Sequence, residues 1–131
     1  MSPAALRPAL QLPPARAMAA LMATDPKSCA DMADLRALID SLDAELVALL
    51  VRRAACIDRA VELKQAAGWP ARIETRVEEV ALNARMRAEA AGLDGAFVEG
   101  LWRQIIEWSI AREERVLGPD QAETGGEAHE R

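Results

Sequence analysis

The thirty residues from Leu35 to Lys64, LRALIDSLDAELVALLVRRAACIDRAVELK, contain neither Pro nor Gly. Such a run predicts one long helix, from Asp31 or Asp34 to Ala67. Either Asp can cap its start, and Gly68 with Pro70 stops it. Leu35, Leu38, Leu42, Leu46, Leu49 and Ile57 recur at helical spacing along it. At about 1.5 Å per residue the helix is roughly 50 Å long. The remainder of a 131-residue chain is too small to cover it. Association is the expected remedy for a chain with so small a core.

Two further helices are expected. Helix 2 runs from about Glu74 to Ala91 and is ended by Gly92, with Val77, Val80, Ala81, Ala84 and Ala88 inward. Asp94 caps helix 3, which ends at Leu117 before Gly118-Pro119. Phe97, Leu101, Ile105, Trp108 and Ile110 supply its apolar side. About half the residues are apolar, with one Phe and no Tyr, which suits helices better than sheets. The expected fold is all-α, with three helices in a domain over 31–117. A Pro-rich, irregular extension covers 1–30, and a polar, disordered tail covers 118–131. Trp69, Trp102 and Trp108 read as core or dimer packing.

The cations on helix 1 constrain its partner. Arg53 and Lys64 are eleven residues apart, about three turns, and so share a face. Arg36 lies seventeen residues before Arg53, about 25 Å away and about a quarter turn round. One small ligand cannot touch all three from a single straight helix. If the three serve one ligand, an antiparallel second copy must return its own Arg36 to the Arg53/Lys64 face. Arg76 opens helix 2, where free backbone N–H groups favour anions. Ser109 and Glu113 share a face of helix 3. Together these residues suit a small dicarboxylate, with Arg forks for carboxylates and Lys as a movable point charge. For any single Arg, a solvated helix charge is the simpler reading.

Other classes are set aside on composition. A net charge of -5 argues against nucleic acid, which needs a clustered basic face. Cys29 and Cys56 form no metal-ligand pattern and read as reduced thiols, Cys56 packed in its helix. His129, the one histidine, lies in the polar tail, so neither a metal centre nor a His-based triad is expected. No nucleophile–base pair or phosphate loop is present, so catalysis would work by positioning and electrostatics, without a cofactor. No segment approaches the roughly 20 apolar residues of a membrane span. Ala17–Ala23 follows Arg7 and Arg16 as a short signal peptide would, but Pro13-Pro14 precede it. An over-long start, with Met18, Met22 or Met32 as the true one, fits equally, and a cytoplasmic protein is expected.

LRALIDSLDAELVALLVRRA, then Lys64, then Arg76, then FVEGLWRQIIEWSIAREE resemble the all-helical class of chorismate mutase, over roughly Ala33 to Leu117. The resemblance implies an intertwined helical homodimer with two equivalent sites, each receiving Arg36 from the partner. It implies that Arg53 and that Arg36 hold the substrate carboxylates. Lys64 would bridge a carboxylate and the ether oxygen of the enolpyruvyl group. Arg76 would add positive field, Ser109 would lie near the ring carboxylate, and residue 113 would face the ether oxygen opposite Lys64. A donor there stabilises the transition state as charge builds on that oxygen.

The chain departs from the family pattern twice. Many bacterial mutases carry Gln where this chain has Glu113, and a carboxylate there helps only when protonated. The alternative for Glu113 is an ion pair with Lys64 or Arg112. Typical mutases also carry Glu directly after the helix-2 Arg, where it bonds the ring hydroxyl; here Val77 stands instead. Glu78 or Glu79 could replace it only on a rotated helix. Arg76-Val77 and FVEGLW-QIIEW also resemble the isochorismate pyruvate-lyase branch, which makes salicylate and pyruvate. The reading is therefore chorismate mutase, giving prephenate for aromatic amino acid biosynthesis. The alternatives are isochorismate pyruvate-lyase, an aminodeoxychorismate mutase, and a non-catalytic helical binding or regulatory dimer.

Overall fold

The structure, a computed structural model, describes residues 24–119. Among the described residues it is all-helical, with three α-helices and no strand. They are α1 (Met32–Ala67), α2 (Glu74–Ala90) and α3 (Gly95–Leu117). A short 3-10 turn, Pro26–Ser28, precedes α1. Of the expected extension and tail, residues 1–23 and 120–131 lie outside the described residues. The chain divides into two compact units between Arg53 and Ala54.

The ends of the helices follow the capping chemistry. The Asp31 side chain accepts from the Asp34 amide at 2.9 Å and caps α1. Gly68, at φ 73, ends it: the Trp69 amide donates to the Lys64 carbonyl at 2.9 Å, which closes a Schellman turn. Gly92, at φ 82, does the same for α2 through Leu93 and Ala88. That helix stops at Ala90, one residue short of the expected end. Asp94 caps α3 by accepting from the Phe97 amide at 3.2 Å.

In the first unit the expected stripe of α1 is only partly covered. Leu38 is buried and Leu35 and Leu42 half-buried, whereas Leu46 and Leu49 are exposed. Ile39, Val47, Leu50 and Val51 are exposed as well. So many exposed apolar side chains along one helix are the kind of surface that marks an interaction site.

In the second unit α2 packs along α3. Val77 and Ala81 meet Ile106 and Ile110, with Ala71 from the α1–α2 connector and Val80 at the edge. One layer further, Ala84 and Ala88 meet Val98, with Trp102 against them. The inward side of α2 is the one expected from its spacing. The inward side of α3 is not. Ile110 is buried as expected, but Phe97, Leu101 and Trp108 are exposed, and Val98, Ile106, Ser109 and Glu113 are buried in their place. The helix carries two neighbouring apolar stripes about 100° apart, and only one can face α2. The small α2 residues Ala81, Ala84 and Ala88 bring the backbones close enough to select the stripe with Val98 and Ile106.

Cys56 is exposed rather than packed. Trp69 and Trp108 are exposed too, so of the three indoles only Trp102 joins the core of the single chain.

Candidate active site

The site is built inside the second unit, where the C-terminal end of α1, the α1–α2 connector and α3 converge. Lys64 sits in the last turn of α1. Its Nζ lies 2.7 Å from Oε1 of Glu113 on α3. The same Nζ donates a hydrogen bond to the Ala71 carbonyl at 2.7 Å. Both side chains are largely withdrawn from water, with 16% of Lys64 and 6% of Glu113 exposed. Oε1 of Glu113 is buried and receives no aligned hydrogen bond, so Lys64 serves it as a charge. A buried carboxylate with an incomplete hydrogen-bond set is costly, and functional sites are where such costs are kept.

Ser109 lies one turn before Glu113 on the same face of α3 and is buried. Its hydroxyl donates to the Ile105 carbonyl at 2.8 Å. The apolar layer of Val77, Ala81, Ile106 and Ile110 lies next along α3. Beside Lys64 opens a cavity of about 690 Å³, lined by Trp69, Pro70, Arg72, Glu74 and Leu117 among others. Its volume falls in the range that takes a small organic ligand.

Of the expected site residues, Lys64, Ser109 and Glu113 are brought to this region. Arg36 and Arg53 belong to the first unit, on α1, exposed and half-buried respectively. Arg76 is turned to the surface with 65% of its side chain exposed, and it pairs with Glu79 one turn on. Glu78 is held by Arg103 through two bonds of 3.0 Å and Glu79 by Arg76, so both carboxylates that follow Val77 are engaged in ion pairs. Val77 itself is core.

Three ion pairs around the site were not legible beforehand. Arg72, in the connector, grips both oxygens of Glu107 on α3 at 3.0 and 2.5 Å, with Glu74 at 3.9 Å. The Arg72 fork holds the Glu107 carboxyl below its ordinary range. Arg112 grips both oxygens of Asp58 at 2.7 and 3.0 Å and lies 5.4 Å from the Trp108 ring centroid. It lowers the Asp58 carboxyl in the same way and is not the partner of Glu113. Arg103 does likewise for Glu78. These pairs join residues 25 to 54 apart in sequence, and helical spacing reveals only partners three or four apart.

Among the described residues no His, Cys, Asp and Glu cluster could hold a metal ion, and no helix is long and apolar enough to cross a membrane.

Comparison with known proteins bears on this arrangement. Residues 35–114 match the family model for chorismate mutase type II. The chain is 39% identical over 89 residues to an isochorismate pyruvate lyase of Pseudomonas aeruginosa, which covers 67% of this chain and 86% of that protein. It is 32% identical over 80 residues to a T-protein of Haemophilus influenzae, covering 61% of this chain but 21% of that protein. The matched span holds α2, most of α3 and the Lys64–Glu113 couple, and the chain belongs to the chorismate mutase type II family.

Proposed function

We propose that the protein is a cofactor-free enzyme acting on isochorismate, which it cleaves to salicylate and pyruvate, with rearrangement of chorismate to prephenate as the second reading. The observation that carries the reading is the buried Lys64 ammonium beside Glu113 and the Ala71 carbonyl. In both reactions a C–O bond to the enolpyruvyl group breaks and charge builds on its oxygen. A desolvated ammonium aimed at that oxygen stabilises the transition state more than the ground state. In the cleavage a ring hydrogen passes to the enolpyruvyl methylene as the bond breaks, giving pyruvate and an aromatic ring. No protein group need form a covalent bond.

Val77 weighs toward cleavage. Packed among Ala71, Ala81, Ile106 and Ile110, it offers no acceptor for the ring hydroxyl that mutases bind from this position. The likeness to an isochorismate pyruvate lyase supports the same branch, and the family match supports the mutase as second reading. Arg53 and Arg36 of a second copy hold the two carboxylates in this proposal, with Ser109 near the ring carboxylate and Arg76 adding field from the rim. The exposed apolar surface of α1 is the ground for a homodimer. Glu113 orients Lys64 in this proposal.

The test is product analysis of the purified protein supplied separately with each substrate. Salicylate and pyruvate from isochorismate as the faster reaction support the proposal. Prephenate from chorismate as the faster reaction transfers it to the mutase. Neither product refutes both and leaves a non-catalytic helical protein.

A further inference from the structure

Lys64 is held from two sides, and the two holds differ in kind. Glu113 supplies charge from α3. The second hold is a backbone carbonyl, that of Ala71, in the connector between α1 and α2. A carbonyl directs an ammonium only as well as its own segment is fixed. The connector is short, leaves α1 through the left-handed Gly68 and passes Trp69 and Pro70, both exposed. The Ala71 methyl is buried in the α2–α3 core. The next residue, Arg72, fastens the connector to α3 through two parallel bonds to Glu107. That planar fork fixes direction as well as distance. Glu107 lies six residues before Glu113, so one helix carries both the carboxylate that pairs with Lys64 and the anchor of the connector.

We propose that Arg72 and Glu107 form a latch that positions Lys64: the fork sets the Ala71 carbonyl, and the carbonyl sets the ammonium beside Glu113. Arg72 touches no reacting atom in this proposal; it is a positioning residue. Arg72, the connector's half of the latch, lines the 690 Å³ cavity beside Lys64, so the latch also limits how far that wall opens. Opening it lets the Lys64 ammonium leave the carbonyl and swing toward solvent. The consequence for turnover rests on the function proposed above; the consequence for Lys64 itself does not.

That separation dictates the experiment. Lys27 and Lys64 are the two lysines of the chain, and Lys27 is exposed. The folded protein is treated briefly with acetic anhydride, and acylation of each lysine is read by peptide mass spectrometry. Lys27 serves as the internal reference. Arg72→Gln and Glu107→Gln each raise the Lys64-to-Lys27 ratio about two- to fivefold, the factor expected for loss of a partly exposed ion pair. The exchanged pair, Arg72→Glu with Glu107→Arg, returns the ratio toward that of the natural protein. On the substrate that is turned over, the single variants lower kcat by a similar factor and leave KM nearly unchanged. An unchanged ratio in both single variants overturns the latch, whatever happens to turnover. A raised ratio that the exchanged pair does not reduce assigns the effect to lost packing and overturns it too. If neither substrate is turned over, the function proposed above fails while the acylation ratio still decides the latch.

Discussion

The Lys64 ammonium stands 2.7 Å from a carboxylate oxygen of Glu113 and gives its hydrogen bond to the Ala71 carbonyl at the same distance. The cation is thus held by two protein oxygens, and the energetics of the couple govern several measurable properties.

Removing one member of the couple should cost more than removing both. Lys64→Met leaves a buried Glu113 carboxylate without its charge partner, a situation that costs about 3–5 kcal/mol. Lys64→Met with Glu113→Leu removes the charge as well and should recover much of that loss. Urea unfolding of the two variants checks this, and equal destabilisation would show that the pair is not coupled.

Turnover should respond to the charge at position 113. In the proposed reaction a carboxylate paired with Lys64 lowers the positive field at the ether oxygen, whereas an amide can donate to it. Glu113→Gln should therefore exceed the natural protein in kcat/KM. Assays of the two proteins side by side decide the matter, and equal values would remove Glu113 from the chemistry.

Stability should decline in acid for a separate reason. Arg72 lowers Glu107, Arg103 lowers Glu78 and Arg112 lowers Asp58, each mainly through side-chain hydrogen bonds. A carboxyl depressed in the folded state stabilises the fold above its unfolded value, about 4.5 for Glu and 3.8 for Asp, and that contribution is lost as pH falls through the folded value. Thermal midpoints should hold steady near neutrality and drop below about pH 4.5. In Glu107→Gln the midpoint at neutral pH should be lower and the acid drop shallower.

The exposed apolar surface of α1 should be covered in solution by a second copy. Leu46→Lys with Leu50→Asp places charges where Leu46 and Leu50 are now exposed. Light scattering should give a dimer for the natural chain and a monomer for the variant, with turnover lost alongside. A monomeric natural chain would contradict the shared-site reading of Arg36.

Much of this was legible in the chain. The absence of Pro and Gly from Leu35 to Lys64, followed by Gly68, gave α1 almost to the residue, and Asp94 and Gly118 bounded α3. The four-residue spacing put Ser109 and Glu113 on one face of α3, and the family resemblance joined Lys64 to them. The face of α3 that turns inward was not legible. Phe97, Leu101 and Trp108 are as apolar as Val98 and Ile106, and the choice falls to the small residues of α2. Nor was the latch: Arg72 and Glu107 meet only because the connector folds back, which no local spacing encodes. Arg76 was expected to point toward the site, but Glu79 one turn on offers a nearer carboxylate.

The central claim is that the buried Lys64 ammonium drives the reaction. It is tested most directly by comparing kcat/KM of the natural protein and of Lys64→Gln on isochorismate, with folding of both confirmed by circular dichroism. Loss of one charge-stabilising donor predicts a fall of about 10²–10³-fold in turnover. Turnover by Lys64→Gln within a few-fold of the natural protein would contradict the account.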